Sequence, residues 1–262
     1  MLAARGIHES WERLLDSGVA NRIYVTKDVV LRVATDHEDA IVDAYTESVA
    51  APIARLAGVR TPALIAFDDS RTLVDRPFSL WERVHGETFG LAKLTEKARR
   101  QLWREVGEQL AQLHVAVRDC PDPLGYLDSP GREMDWESEL EEFRSARGLK
   151  ASEVREVAEL FRELEPSAAQ RRNILCGANG GLLALIDWGD AGWGDPVLEF
   201  AAVPLDALDA VLEGYGARER LGRQWEARLV WDQLMQALER AMEDPKSLVP
   251  VRQLRLHLEG QI

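Results

Sequence analysis

Two oxygen-bearing side chains stand at the two ends of a predicted β-hairpin in the second half of the chain. Asn173 opens the first strand, Asp187 follows the second, and residues 177–181 form a glycine-rich turn between the strands. Because the two ends of a hairpin lie side by side, we expect the amide and carboxylate oxygens to converge. Oxygen-only sites that are completed by substrate phosphates are those that Mg²⁺ prefers. The alternative is that Asp187 is a turn residue after a buried strand.

The first third of the chain has the alternating pattern of a sheet. Residues 22–26 and 29–34 are rich in β-branched residues and flank Lys27-Asp28, which predicts a hairpin. A helix is predicted over 37–56. Further strands are predicted over 63–67, 72–75 and 79–84, separated by polar connections. This pattern indicates a small antiparallel sheet with one helix.

From Leu91 onward the apolar period becomes helical. Thr95 can cap a helix whose apolar residues recur at steps of three and four, which predicts one buried stripe. The stripe consists of Leu102, Val106, Leu110, Leu113 and Val117. A similar pattern runs over 230–242 and ends before Pro245. The hairpin of 173–176 and 182–186 is then an isolated pair of strands in a helical region.

These elements predict an α+β fold of two lobes with a ligand cleft between them. We expect a sheet-rich lobe at residues 1–84 and a mostly helical lobe at residues 85–262, joined by a strand that runs into Val84. Ligands favour such interfaces between lobes. A chain of 262 residues is long enough for two packed units of this size.

Composition restricts the class of partner. The net charge of −13 opposes contact with phosphate backbones and anionic lipids, so we expect neither nucleic acid nor a membrane as partner. Residues 133–165 carry a local net charge of −6, either as a solvated helical face or as an acidic wall for a cationic substrate. Two cysteines without metal spacing, and the lack of a signal-type apolar segment, favour a cytoplasmic location.

Several segments carry a resemblance to a known family. Residues 186–190 (Ile-Asp-Trp-Gly-Asp) with 194–196 (Gly-Asp-Pro) resemble the metal-binding region of aminoglycoside phosphotransferases and related small-molecule kinases. Residues 106–114 resemble the central helix of that family, and residues 79–86 resemble its hinge. The resemblance covers most of the chain and implies the two-lobed protein-kinase-like fold.

The resemblance implies roles for individual residues. Asp187 would bind Mg²⁺ that bridges the nucleotide phosphates, and Asn173 would supply the second ligand. Arg32 falls where kinases place a phosphate-binding lysine, and Glu47 falls where the ion-pair partner of that lysine stands. An arginine can grip phosphate through a planar fork. The alternative for this pair is an ordinary charge on a strand and a helix.

Two further segments would contact the nucleotide, which is ATP or GTP. The turn that contains Ser17 and Gly18 lies where the family covers the phosphates, and its backbone N–H groups would form an anion-binding nest. Backbone groups of Glu82 and Val84 at the hinge would meet the edge of the base. Any side chain can serve at such backbone positions, so the residue types give no further information.

This sequence departs from the family pattern at the position of the proton acceptor. The family places an aspartate five positions before the metal-binding asparagine, and this position is Ala168 here. A histidine is usual two positions earlier, and the chain has Pro166 there. A positioned general base contributes roughly 10²- to 10⁴-fold to rate, so its loss would impair transfer without necessarily abolishing it. Glu165 or Asp190 would be a substitute base only with unusual spacing.

Three functions are therefore open. The first is a pseudokinase or strongly impaired kinase that binds a magnesium nucleotide and acts through a protein partner or bound ligand. The second is an active ATP- or GTP-dependent phosphotransferase that uses an unconventional base on a small-molecule hydroxyl or a peptide Ser/Thr. The third is an interaction module that binds no nucleotide. The resemblance does not identify the acceptor.

Overall fold

The computed structural model describes residues 10–14, 20–37, 39–127, 173–194, 196–200, 203–221, 225–226 and 229. Four sequence interpretations lie outside the described residues. They are the turn with Ser17 and Gly18, the loop around Ala168, the acidic segment 133–165 and the helix expected over 230–242.

The first part of the chain forms a five-stranded antiparallel sheet in the order β1-β2-β3-β5-β4. The hairpin predicted around Lys27-Asp28 is present, and Thr26 Oγ1 accepts hydrogen bonds from the backbone N–H groups of Asp28 (3.3 Å) and Val29 (3.1 Å). Strand β3 lies at the centre of the sheet. The strands are β1 Glu12–Leu14, β2 Asn21–Val25, β3 Val29–Ala34, β4 Leu64–Asp68 and β5 Phe78–Glu82.

The prediction of a strand at residues 72–75 is wrong. These residues form bends. The Asp68 side chain accepts hydrogen bonds from Ser70 N (2.9 Å) and Ser70 Oγ (2.7 Å), and Arg71 has a φ of 56°, so the chain turns before a strand can form. Leu73 and Val74 are consequently exposed by 59% and 41%.

Helix α1, Ala40–Leu56, packs against this sheet through small residues. Its buried positions include Ala44, Ala51 and Ala54, and short side chains let the helix approach the strands closely. Glu47 is buried on the same helix and is 5% exposed. A buried carboxylate needs a charged partner or hydrogen bonds, so Glu47 can be buried here only if other residues compensate its charge.

The second sheet has three strands in the order β6-β7-β8. The predicted hairpin is β7 Ile174–Cys176 and β8 Leu182–Leu185, and the expectation that it would be isolated is wrong. Strand β6, Glu87–Thr88, pairs with β7, and two residues are too few to produce a readable period. A Cβ at Gly86 would lie 2.9 Å from Cys176 O, so the glycine lets the connection pass close to β7.

Two helices complete the described core. Helix α2, Glu96–Ala116, begins after Thr95, whose side chain accepts a hydrogen bond from Ala98 N at 3.2 Å, as the sequence predicts. Helix α3, Leu205–Gly216, packs along α2, and a 3₁₀ helix, Pro196–Phe200, precedes it. The stripe residues Leu102, Val106 and Leu110 are buried in this core. No described helix is long and apolar enough to span a bilayer.

Hydrogen bonds from the connection between α1 and β4 link the first part of the chain to the second sheet and to α2. Arg60 O accepts the backbone N–H of Leu185 at 2.8 Å, and Arg60 N donates to the buried Gln109 side chain at 2.6 Å. Gln112 Nε2 donates to Ala57 O at 2.7 Å. Strand β8 and helix α2 are therefore held directly against the end of α1.

Two glycines set the distance between α2 and α3, which leads to a stability prediction. A Cβ at Gly107 would lie 2.0 Å from Val211 O, and a Cβ at Gly214 would lie 1.9 Å from Arg104 O. Because both obstacles are backbone atoms, Gly107→Ala and Gly214→Ala should each lower the free energy of unfolding by about 1–3 kcal/mol or more. Urea unfolding measures this change.

Gly216, at the end of the same α3 helix, is the matched control. A Cβ there would meet nothing within 4 Å, so Gly216→Ala should change stability by less than about 1 kcal/mol. Equal losses in all three variants would contradict the close approach of the two helices.

Candidate functional site

The structure brings Asn173 and Asp187 to the same end of the hairpin. Ile174 pairs with Leu185, and the backbone N–H of Ile186 donates to Asn173 O at 2.9 Å. Asn173 thus accepts this hydrogen bond and Asp187 directly follows its donor, so both candidate ligands lie at one end of the hairpin. Asp187 has a φ of 68°, a left-handed conformation that is uncommon outside glycine, and its side chain is 52% exposed. Such strain is often found at functional sites.

Arg32 joins this hairpin to the first sheet. Arg32 pairs with Ile23 on β2 and with Ser79 on β5, so it lies in the middle of the sheet. One guanidinium nitrogen, Nη1, donates to Glu47 Oε1, and the other, Nη2, donates to Asp187 Oδ1 at 3.0 Å. One side chain thus holds a carboxylate of α1 and a carboxylate that follows β8.

Charges compensate each other inside this bridge. Burial raises the pKa of Glu47, and the neighbouring Arg32 opposes that rise. Burial alone would lower the pKa of Arg32, but the Glu47 and Asp187 carboxylates outweigh it, so the pKa of the guanidinium is raised. The backbone N–H of Trp188 adds a hydrogen bond to Glu47. Glu47 is therefore held by a charged partner and by the loop that follows Asp187.

The loop after Asp187 lies directly against α1. Trp188 Nε1 donates to Thr61 Oγ1 at 3.0 Å. A Cβ at Gly189 would lie 2.8 Å from Asp43 Cβ, so this glycine permits the approach of the loop to the helix. Burial, and then the charge of Asp190, raises the pKa of Asp43. This corner of the site is strongly acidic, and it surrounds the Arg32 guanidinium.

Arg32 also carries a free donor. Its Nε is buried and has no hydrogen-bond partner among the described residues. A buried donor without an acceptor is unfavourable, and a ligand oxygen is a natural acceptor for a guanidinium. This orphaned atom fits a phosphate group beside Arg32.

The donor set at the hairpin end fits Mg²⁺ bound together with phosphate. Asn173 and Asp187 offer oxygen atoms, as a hard cation requires. Among the described residues, no cluster of three or more His, Cys, Asp or Glu side chains forms a metal cage. Mg²⁺ commonly uses one or two protein ligands and takes its remaining ligands from phosphates and water.

The hinge residues lie at a different part of the first sheet. Strand β5 ends at Glu82, whose backbone N–H donates to Ala63 O at 2.9 Å and whose side chain forms an ion pair with Arg55 at 3.4 Å. The Glu82 side chain is therefore engaged with the α1 to β4 region. Val84 follows β5 and is half-buried. Any contact with a base at these positions would use backbone groups.

Two residues of the site, Asp43 and Thr61, were not singled out from the sequence. Asp43 stands four residues before Glu47, so it lies on the same helix face, and that spacing was a readable signal. Thr61 comes close to the site through a contact between distant segments, the hydrogen bond from Trp188, which no local pattern indicates.

A separate concave surface of about 550 Å³ lies at the turn end of the hairpin. It is lined by the first half of α2, including Arg100 and Arg104, and by Asn179, Gly180 and Glu213. Because Asn173 and Asp187 are at the opposite end of the hairpin, this concavity is not part of the candidate site.

Comparisons with known proteins identify the family of this chain. A family model described as the phosphotransferase enzyme family matches residues 11–236. The comparison with curated protein sequences gives no match.

Solved structures share the fold at low sequence identity. The GDP complex of a mutant aminoglycoside 2'-phosphotransferase of type IIIa is 17% identical with a TM-score of 0.63, and the match covers 100% of this chain and 95% of that one. The ternary complex of APH(2")-IIa with streptomycin and ATP is 18% identical with a TM-score of 0.59, with 96% of each chain covered.

A protein assigned to a different family is also similar in structure. The choline/ethanolamine kinase family protein from Mesorhizobium loti is 17% identical with a TM-score of 0.58, and 97% of this chain and 87% of that chain are covered. The expectation of an α+β, two-lobed protein-kinase-like fold is confirmed.

The buried bridge between Arg32 and Glu47 predicts an effect on stability. Glu47→Gln keeps the shape of the side chain but removes its charge, so the half-buried guanidinium loses one of its two carboxylates. We expect the free energy of unfolding to fall by about 1–3 kcal/mol in urea titrations. The exposed Glu87→Gln is the control and should stay within about 0.5 kcal/mol of wild type. A neutral Glu47→Gln would contradict a structural role of the pair.

Proposed function

Because the chain belongs to the phosphotransferase enzyme family, we propose that it binds a magnesium nucleotide, ATP or GTP, between its two lobes. The observation that carries this proposal is the 3.0 Å contact between Arg32 Nη2 and Asp187 Oδ1. It brings the proposed phosphate-binding residue of the first sheet against the proposed metal ligand of the hairpin. The ATP and GDP in the similar structures support the nucleotide class.

Each candidate residue has a proposed part in this binding. Asp187 and Asn173 hold Mg²⁺ through oxygen atoms at the end of the hairpin. Arg32, kept in place by Glu47, offers its unpaired Nε to a phosphate oxygen. An ion held by these residues would neutralise the charge of the phosphates.

Further contacts complete the proposed nucleotide site. Ser17 and Gly18 cover the phosphates, and backbone groups of Glu82 and Val84 meet the base. We place the boundary between the lobes after residue 84, because β5 of the first sheet ends at Glu82 and β6 of the second begins at Glu87.

For the reaction itself, we propose that the protein is a pseudokinase or a strongly impaired kinase. The family position of the proton acceptor is occupied by Ala168, whose methyl group can neither accept nor donate a proton. Positioning and charge stabilisation supply most of the acceleration in phosphoryl transfer, so slow transfer remains compatible with this site. The protein then acts through a bound ligand or a protein partner in the cytoplasm.

An active phosphotransferase is the second candidate, and the Arg32–Glu47 pair favours it. Such a pair orients the phosphate-binding cation, and it is intact here. The acceptor would be a small-molecule hydroxyl or a peptide Ser/Thr. Among the similar structures, one contains streptomycin and another is assigned to the choline/ethanolamine kinase family, which supports a small-molecule acceptor.

Nucleotide binding is tested by thermal stability. ATP or GTP with Mg²⁺ should raise the melting temperature, because a ligand that binds the folded state stabilises it. Asp187→Asn should remove most of the magnesium-dependent part of that rise. The exposed Asp119→Asn, beyond the end of α2, is the control and should retain it. If no nucleotide stabilises the wild-type protein with or without Mg²⁺, the chain is an interaction module and the proposal is wrong.

Restoring the missing carboxylate tests the assignment of the reaction. Ala168→Asp should create or raise nucleotide hydrolysis, or transfer to candidate acceptors, by roughly 10²-fold or more if the rest of the site is competent. Ala169→Asp adds the same charge one position later and should give no such gain. Substantial turnover in the wild-type protein that is lost in Asp187→Ala would instead support the active phosphotransferase.

A further inference from the structure

The two terminal nitrogens of the Arg32 guanidinium contact carboxylates that differ in solvent exposure. Glu47, on one nitrogen, is 7% exposed in its side chain, and Asp187, on the other, is 52% exposed. A buried carboxylate has no water to replace a lost partner, whereas an exposed carboxylate is readily rehydrated. The contact with Glu47 is therefore the permanent one, and the contact with Asp187 is the one that can exchange.

The exchangeable contact uses the proposed metal ligand. Arg32 Nη2 donates to Asp187 Oδ1 at 3.0 Å, so a cation bound to this carboxylate would lie close to the guanidinium. Two positive charges at such a distance repel each other, and the repulsion is larger where water is partly excluded. A free divalent ion must therefore either displace Arg32 from Asp187 or bind beside it at a penalty.

Phosphate removes this conflict. The buried Arg32 Nε has no acceptor among the described residues, and a polyphosphate offers oxygen atoms to the guanidinium while it also coordinates the metal. When the phosphates accept hydrogen bonds from Arg32, the carboxylate of Asp187 becomes free for the ion. Metal and nucleotide then stabilise each other's binding through one side chain.

We propose that Arg32 is a latch on Asp187 that excludes free divalent ions and opens when nucleotide phosphates take over its guanidinium. The inference rests on the proposed function, because it takes Asp187 as the metal ligand. It depends on the planar fork of arginine, since one guanidinium reaches two carboxylates through two nitrogens. A lysine ammonium is a compact charge on a single atom, and the buried Glu47 would hold it.

Arg32→Lys tests the latch because it keeps the positive charge and removes the fork. Binding of Mn²⁺ alone, without nucleotide, is measured by electron paramagnetic resonance of the free ion. We expect Arg32→Lys to bind Mn²⁺ about five- to tenfold more tightly than wild type. Arg22→Lys makes the same change at an exposed position on the adjacent strand β2 and should leave the affinity unchanged. The double variant Arg32→Lys/Asp187→Asn should lose the gain, which assigns it to Asp187.

A second variant should move the affinity in the opposite direction. Glu47→Gln frees the guanidinium from its buried carboxylate and leaves Asp187 as its charged partner, so Mn²⁺ alone should bind more weakly than in wild type. Because the two variants change the affinity with opposite signs, a general loss of folding cannot imitate the pattern. Circular dichroism at the temperature of the titration confirms that each variant is folded.

The results separate this inference from the proposed function. If wild type is stabilised by a magnesium nucleotide but Arg32→Lys binds Mn²⁺ no more tightly than wild type, the latch is wrong and the nucleotide site stands. If Arg32→Lys gains Mn²⁺ affinity through Asp187 while no nucleotide stabilises wild type, the exclusion of free ions by Arg32 is supported, but its release by nucleotide phosphates and the proposed function are both wrong. Weaker Mn²⁺ binding in Arg32→Lys also overturns the latch.

Discussion

A carboxylate buried on a helix is the constraint on which this site depends. Glu47 lies on the face of α1 that packs towards the sheet, and burial there opposes its ionisation. The Arg32 guanidinium compensates this charge, and the backbone N–H of Trp188 adds a hydrogen bond. A strand, a helix and the loop after the hairpin therefore meet at one carboxylate. The proposed nucleotide site lies where these three elements meet.

Close backbone approaches make this meeting possible. Gly189 allows the loop after Asp187 to lie on α1 next to Asp43, and Gly86 allows the connection after β5 to pass close to β7. The hydrogen bonds of Arg60 hold the connection after α1 against β8 and α2. Asp187 adopts its left-handed conformation just before this loop, and its side chain accepts a hydrogen bond from Arg32.

Local sequence patterns predicted most of the secondary structure and failed where the determinants were short or competing. The helix that begins after Thr95 was predicted because its cap and its apolar stripe are both local signals. Strand β6 was missed because two residues have no period, and residues 72–75 were mistaken for a strand because the turn made by Asp68 overrides a weak β pattern. Helix α1 begins at Ala40, three residues later than the sequence suggested.

The sequence by itself determined the two-lobed α+β class and the hairpin with an amide and a carboxylate at its ends, and it predicts that Ala168 occupies the position of the expected proton acceptor. Tertiary structure decided that one guanidinium bridges Glu47 and Asp187, two carboxylates that are 15 and 155 positions away from it along the chain. Periodicity and capping act over a few residues, whereas this bridge forms only when a sheet, a helix and a distant hairpin pack together. The residue type determines how many hydrogen-bond donors a side chain has, but the fold determines which acceptors those donors reach.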